Sequence, residues 1–264
     1  MQQILLIMRK PLILISNDDG YQSRGIRYLV DFLSDMADIL VCAPEGGRSG
    51  YSRAFSAVPP LYMHRRDDIF GAEVWSCSGT PVDCVKMALS QLTPQRMPDL
   101  ILGGINHGDN STVNNHYSGT MGVAMEGCMK YIPSIAFSTC DYNPEADLSN
   151  LRTPIRSIVR RVLDEGLPKG ICLNVNFPKR EQFEGLRVCR MGFGSWINEV
   201  KVCRHPRGGT YYWMVGEYRD DEPEATDNDR WALNHGYIAV TPVQMDVTSY
   251  DMLRRMKHWE ENSL

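Results

Sequence analysis

The first third of the chain alternates continuous aliphatic runs with helical periodicity. Residues 12–15 and 39–43 are short aliphatic runs, each typical of a strand that is buried on both faces. Between them, apolar residues recur at helical spacing from Ile26 to Met36, which predicts an amphipathic helix. Strand, helix and strand in quick succession predict a right-handed βαβ unit in a parallel sheet.

The same alternation continues to about residue 184. Thr80 followed by Pro81 and Asp83 is a helix-start pattern, with a capping hydroxyl, a first-turn proline and a first-turn acid. The remaining predicted elements of this part are a helix to about residue 92, a strand over 99–102, a polar loop over 106–117, a helix over 119–129, a strand over 132–138, a helix over 151–163 and a strand over 171–177.

Beyond Gly185 the pattern changes, because glycines, aromatic residues and charges are mixed without a clear period. We expect antiparallel hairpins here, with a strand over 237–240, a closing helix over 250–260 and a solvated acidic loop over 220–229. Residues 1–184 are predicted to form a catalytic core, and residues 185–264 an extension of the same domain. Projecting hairpins have edges to cover, so oligomerisation is expected.

Composition narrows the class of protein. The 264 residues are 43% hydrophobic and 23% charged with a net charge of -4, as in ordinary globular proteins. The acidic balance and the lack of a basic stripe argue against a nucleic-acid polymer as partner. No apolar run approaches the length of a membrane helix, so no membrane association is expected. An acidic protein that binds phosphate must attract it locally, through a metal ion or backbone amides.

The termini and cysteines suggest a cytoplasmic protein. Arg9 and Lys10 interrupt the apolar stretch before them, so no signal-peptide core forms, and Met8 is expected to be the functional start. The eight cysteines are scattered without a C-x-x-C pair, and most lie in apolar runs. We therefore expect small buried thiols in a reducing compartment rather than zinc ligands or disulfides.

Oxygen-bearing side chains follow three of the predicted strands. Asp18 and Asp19 come after the first strand, Ser49 lies in the loop after the second, and Asn106 follows the strand over 99–102. The carboxyl ends of neighbouring parallel strands share one edge of a sheet, where ligands bind. Two carboxylates, a hydroxyl and an amide form an all-oxygen set that suits Mg²⁺ or Mn²⁺ rather than zinc.

A phosphate site is predicted at the start of the helix over 119–129. Ser118, Gly119 and Thr120 lie where a loop becomes a helix, and helix N-termini offer free amides and a partial positive charge. Each feature alone has an ordinary structural explanation as a turn, a helix cap or a loop hydroxyl. His107 and His116 are expected to be solvated or hydrogen-bonded rather than general acids. Because all of the oxygen ligands follow strand ends, we favour a functional site over these separate structural explanations.

Motifs spread along the chain resemble the SurE survival-protein family of 5′/3′-nucleotidases. They stand in the order and spacing of that family and cover nearly the whole chain. The motifs are Ile-Ser-Asn-Asp-Asp-Gly at 15–20, Ala-Pro at 43–44 with Arg-Ser-Gly at 48–50, Ser-Gly-Thr-Pro-Val-Asp-Cys-Val at 78–85, Pro-Asp-Leu at 98–100, Gly-Ile-Asn at 104–106, Tyr-Ser-Gly-Thr at 117–120, Met-Glu-Gly at 125–127, Asn-Val-Asn-Phe-Pro at 174–178, Thr-Asp at 226–227, Gly-Tyr at 236–237 and Val-Thr-Pro at 240–242.

The resemblance implies an α/β fold with a Rossmann-like, mostly parallel sheet, helices on both faces and a C-terminal β-hairpin extension. Subunits of the family exchange C-terminal elements to form homodimers or homotetramers. The family's metal ligands fall on Asp18, Asp19, Ser49 and Asn106, for one Mg²⁺ or Mn²⁺ per subunit. Its phosphate contacts fall on Asn110 and on Ser118, Gly119 and Thr120, and we add Asn17 and Gly50 as neighbours of the metal ligands. The loop over 111–116 departs from the family pattern, so base or sugar preference is left open.

The expected reaction is hydrolysis of nucleoside 5′- and 3′-monophosphates, and of short polyphosphate, by a metal-activated water. Asp18 and Asp19 are the catalytic candidates, with Asp19 preferred as acceptor of the water's proton. One alternative makes either aspartate a nucleophile that forms an aspartyl-phosphate. Another is a nucleotide-binding regulatory protein without turnover. A dehydrogenase is disfavoured, because no G-x-G-x-x-G follows the first strand.

Overall fold

The computed structural model describes residues 9–260, so the predicted start at Met8 lies outside the described residues. The strands are β1 Leu12–Ser16, β2 Asp38–Pro44, β3 Met63–Ile69, β4 Ala72–Cys77, β5 Leu100–His107, β6 Ser134–Thr139, β7 Ile171–Phe177, β8 Leu186–Val188, β9 Gly194–Ile197, β10 Val200–Arg204, β11 Thr210–Met214, β12 Glu217–Asp220 and β13 Ile238–Gln244. The helices are α1 Arg24–Leu33, α2 Pro81–Met87, α3 Asn114–Tyr117, α4 Gly119–Met129, α5 Arg152–Glu165, α6 Asp229–Asn234 and α7 Tyr250–Met256.

Nine strands form one sheet in the order β3-β4-β2-β1-β5-β6-β7-β13-β8. The six strands from β4 to β7 in that order run parallel, while β3 and β13 pair antiparallel with β4 and β7. The predicted α/β fold with a mostly parallel sheet is confirmed. Strands β1 and β5 are neighbours, so their carboxyl ends, which carry Asp18 and Asn106, lie at the same edge.

Both faces of the sheet are covered by helices, as the buried aliphatic runs predict. Alternate residues of β1 enter different cores: Ile13 and Ile15 pack with α1 and α5, whereas Leu14 packs with α2. Helix α4 lies on the same face as α2, and its residues fill that second core and a smaller one beside it. The helices thus fix the positions of the loops that surround the carboxyl edge.

Several boundaries differ from the sequence expectations. Helix α1 ends at Leu33, with Ser34 at the C-cap position, and does not reach Met36. Strand β5 extends to His107, so Asn106 is part of a strand rather than of a loop. The helix after Thr80 is α-helical only to Met87 and continues as a π-helical turn, Ala88–Leu92. The hairpin of β3 and β4 was not predicted.

The region after Gly185 contains the expected antiparallel hairpins, β9 with β12 and β10 with β11. Strands β8 and β13 of the same region instead join the main sheet. The acidic stretch 220–229 is exposed or half-buried over most of its length, but the prediction of a solvated loop is wrong at its end, where Asp229 is fully buried. All eight cysteines are free, and six of them are buried, as expected.

Candidate active site at the carboxyl edge of the sheet

The turn after β1 presents two aspartates at the carboxyl edge. Asn17 holds this turn: its amide oxygen accepts from the Gly20 N–H at 3.1 Å, and its amide nitrogen donates to the Ser23 hydroxyl at 2.7 Å. Asn17 is fully buried, and its side chain holds the turn in place through these two hydrogen bonds. A phosphate bound to Asn17 would have to compete with them. Asp18 is 4% exposed and Asp19 is half-buried.

The start of helix α4 lies directly against Asp18. The Thr120 hydroxyl donates to the Asp18 carboxylate, and the nearby Gly119 backbone acts to lower the pKa of that carboxyl. A Cβ at Gly119 would lie 2.7 Å from Asp18 Cβ, so only glycine permits this approach. A Cβ at Gly103, on β5, would likewise lie 2.5 Å from the Thr120 carbonyl oxygen, so glycine brings the helix close to the sheet. The structure therefore brings predicted metal and phosphate residues together.

Burial dominates the electrostatics of the two carboxyl groups. It raises the pKa of Asp18 to about 6, against the opposing hydrogen bond from Thr120, and the nearby Asp19 carboxylate adds to the rise. Burial also raises the pKa of Asp19, although the nearby His107 backbone opposes the rise. Two carboxylates held this close in a dry site favour an ion or donor of positive charge between them.

Asn106 lies at the end of β5, one residue before the backbone group that contacts Asp19. Its amide nitrogen donates to the Gly108 carbonyl at 2.6 Å, which leaves the amide oxygen as the group for a ligand. Asn106 is 9% exposed. The expectation that His107 is solvated or hydrogen-bonded is wrong, because both of its ring nitrogens are buried without a hydrogen-bond partner among the described residues, and burial lowers its pKa.

The loop after β2 reaches the same turn through its backbone. The Arg48 N–H donates to the Asp18 carbonyl at 2.6 Å, and the Arg48 guanidinium donates to the Ser78 carbonyl at 3.1 Å. Ser49 and Gly50 follow as exposed residues. The loop is thus fixed beside Asp18 by its backbone, with a hydroxyl available on its open side.

Asn110 and Ser118 are both committed to local structure. The Asn110 side chain donates to the Ser138 hydroxyl at 2.7 Å, and its N–H donates to the Asn176 side chain at 2.7 Å. The Ser118 hydroxyl caps α4 by accepting from the Met121 N–H at 2.9 Å. Ser118 keeps its hydroxyl hydrogen for a ligand, whereas Asn110 anchors the loop to β6 and β7.

Three side chains that the sequence reasoning missed hold the loop over 111–116. The two oxygens of buried Asp229 accept from the N–H groups of Thr112, at 2.8 Å, and Gly192, at 2.9 Å. Trp196 donates to the Asn114 side chain at 2.8 Å, and Arg53 donates to the Asn115 side chain at 3.1 Å. No local pattern could identify these residues, since their partners are distant in sequence.

The donor set at this edge fits a hard divalent cation. Asp19 Oδ2 is buried without a hydrogen-bond partner in the described part of the chain, and Asp18, Asn106 and Ser49 supply further oxygens nearby in the fold. Residues 9–260 contain no cluster of three or more His, Cys, Asp or Glu side chains suited to a metal. The predicted ligand set contains only two such side chains, the two carboxylates, and takes its other oxygens from an amide and a hydroxyl. Such a set favours Mg²⁺ or Mn²⁺ over zinc.

No described helix is both long and apolar enough to cross a membrane.

Comparisons with known proteins match most of the chain and agree with its fold. Residues 13–198 match the model of the family described as survival protein SurE. A 5′-nucleotidase SurE of Phocaeicola vulgatus is 53% identical over 95% of this chain and 97% of its own length, and one of Bacteroides fragilis is 46% identical over 96% and 98%. The crystal structure of the SurE protein from Aquifex aeolicus superposes with a TM-score of 0.80 at 35% identity, covering 95% of this chain and all of the other.

Proposed function

Since this chain belongs to the SurE family, we propose that it is a 5′-nucleotidase, a phosphoric monoester hydrolase that releases phosphate from nucleoside monophosphates. The observation that carries the proposal is the contact of Asp18 with the start of α4, where the Thr120 hydroxyl donates to its carboxylate and Gly119 packs directly against it. Relatives that match this chain over almost their full length are named 5′-nucleotidases. Hydrolysis of 3′-monophosphates and of short polyphosphate belongs to the same proposal.

Asp18, Asp19, Ser49 and Asn106 would hold one Mg²⁺ or Mn²⁺ per subunit. When bound, such an ion neutralises phosphate oxygens and makes a water molecule more acidic. The two carboxylates place two negative charges in a largely buried site. An anionic phosphate can approach them only if a cation balances that charge.

The other residues orient the phosphate and handle the proton. Free amides at the start of α4 and the Ser118 hydroxyl would donate to phosphate oxygens as charge develops on them. Asp19 Oδ2, which has no partner within residues 9–260, would accept the proton of the attacking water. The water oxygen bonds to phosphorus, the ester P–O bond breaks, and the leaving nucleoside oxygen takes a proton from solvent to become the alcohol.

The C-terminal hairpins support assembly into a homodimer or homotetramer by exchange of C-terminal elements. Strands β10 and β11 expose large apolar side chains in the single chain. Their register places Val200, Val202, Tyr212 and Met214 on one face of the hairpin and Trp213 on the other. A partner subunit would cover them, and light scattering after size-exclusion chromatography measures the resulting mass. The cytoplasmic location stays a prediction from the sequence.

Phosphate release from AMP tests the function directly. We expect turnover with Mn²⁺ or Mg²⁺, none with excess EDTA, and recovery when the metal is restored. Binding of AMP without phosphate release under all metals would instead identify a nucleotide-binding protein without turnover. Trapping of labelled phosphate on the protein after acid quench would favour the aspartyl-phosphate alternative over direct attack by water.

A further inference from the structure

A second cavity lies at the same edge of the sheet, beyond the ends of β5, β6 and β7. Its volume is about 380 Å³, within the range of small-molecule sites. Asp109 and Asn114 line it from the loop after β5, Tyr142 from the segment after β6, and Trp196 and Tyr218 from the β9–β12 hairpin. Ligands of open α/β sheets bind in such crevices outside the carboxyl ends of strands.

One loop connects this cavity to Asp18 and Asp19. At its first end, the His107 backbone lies near Asp19, and at its last end, Gly119 lies against Asp18. Its middle lines the cavity through Asp109 and Asn114. The same loop therefore borders both the two carboxylates and the cavity.

The cavity offers flat aromatic surface together with polar edges. Trp196 and Tyr218 meet edge to face with ring centroids 6.1 Å apart, and the Arg230 guanidinium lies 4.6 Å from the centre of the Tyr218 ring. The hydrogen bond from Trp196 to Asn114 fixes the indole in place before any ligand arrives. Arg230 Nη2 lies 3.8 Å from Asp109 Oδ1, which holds the guanidinium at the cavity wall while 21% of the side chain stays exposed. A planar heterocycle with hydrogen-bond acceptors matches these features.

We propose that this cavity binds the base of the nucleotide substrate, with Trp196 as the stacking residue and Arg230 as the donor to the base. The inference rests on the proposed function, since it assigns the nucleoside half of that substrate. It also assigns a role to the atypical loop over 111–116. Asn114 in that loop orients Trp196, the residue that distinguishes a nucleoside from other alcohols.

The test compares a nucleotide with a phosphate ester that has no nucleoside. In Trp196→Ala, we expect kcat/KM for AMP to fall about tenfold more than kcat/KM for p-nitrophenyl phosphate, because one stacked base is lost and only AMP carries a base. Trp196→Phe keeps a stacking ring and should restore most of the AMP affinity. Phe70→Ala removes an exposed aromatic ring at the opposite end of the sheet and serves as the matched control.

Adenosine binding measured by calorimetry gives a readout that does not depend on turnover. Wild type and Phe70→Ala should bind adenosine equally, and Trp196→Ala about tenfold more weakly. Equal losses for AMP and p-nitrophenyl phosphate, or unchanged adenosine binding, would overturn the assignment of the cavity. If wild type binds adenosine through Trp196 but hydrolyses neither ester, the proposed function fails and the base site stands.

Discussion

The substitution Gly119→Ala tests whether the contact between α4 and Asp18 governs the reaction. The new methyl carbon would lie 2.7 Å from Asp18 Cβ and 3.0 Å from Asp18 Oδ2. Ordinary contacts begin near 3.4 Å, so Asp18 or the helix start must move by about 0.7 Å. Displacements of about 1 Å at a reacting centre cost roughly 100-fold in rate. We therefore expect kcat for AMP to fall by about 10- to 100-fold.

Stability should change less than activity in this variant. Gly119 is the first residue of a helix, where alanine is favoured, and this gain of about 1 kcal/mol opposes an overpacking cost of about 1–3 kcal/mol. The assay is phosphate release under saturating Mn²⁺, alongside urea unfolding of the same preparations. Gly46→Ala is the control, because a Cβ there meets nothing within 4 Å. Wild-type turnover in Gly119→Ala, with the metal bound, would refute the role given to this contact.

Two further variants probe the buried carboxyl groups. Asp18→Asn should reduce turnover by orders of magnitude and yet stabilise the protein in EDTA. Burial raises the pKa of Asp18 from 3.8 to about 6. The ionised side chain therefore lowers the free energy of unfolding by roughly 3 kcal/mol above pH 6 and has no such effect below pH 3.8. Urea unfolding at pH 8 should show that gain and at pH 4 almost none, whereas equal gains at both pH values would contradict the sign. Asp229→Ala leaves two buried backbone N–H groups without acceptors and should lower the free energy of unfolding by about 2–4 kcal/mol. The control Asp227→Ala loses only an exposed ion pair and should lower it by less than about 1 kcal/mol. Similar losses in both variants would refute the role of Asp229 in anchoring the loop.

The central strands and the metal-binding candidates could be predicted because their signal is local. Strands β1 and β2 are aliphatic runs buried on both faces, and parallel strands place the residues that follow them at one edge. The same logic locates Asp18, Asp19 and Asn106 without knowledge of the packing. Thr80 also caps its helix as predicted, with both hydrogen bonds of a capping box present.

The features that were missed depend on distant partners. Strand β3 is mostly exposed and contains five consecutive polar residues, His64 to Asp68, so its sequence is indistinguishable from a solvated segment until it pairs with β4. Asp229 ends an acidic run and looks equally solvated, but its two acceptors are used by residues 117 and 37 positions away. A sequence shows that a residue is charged, but not whether the fold brings backbone donors to it.

The separation of Asp18 and Thr120 by 102 positions has a consequence for how ligands act on this protein. Their contact requires β1 beside β5 and α4 packed on the sheet, so a fragment or a partly folded chain has two isolated carboxylates and no place for an anion. A metal ion or nucleotide held here thus binds the complete fold and raises the free energy of unfolding of the whole molecule by mass action. Its dissociation constant can therefore be obtained from a melting curve as well as from a kinetic assay.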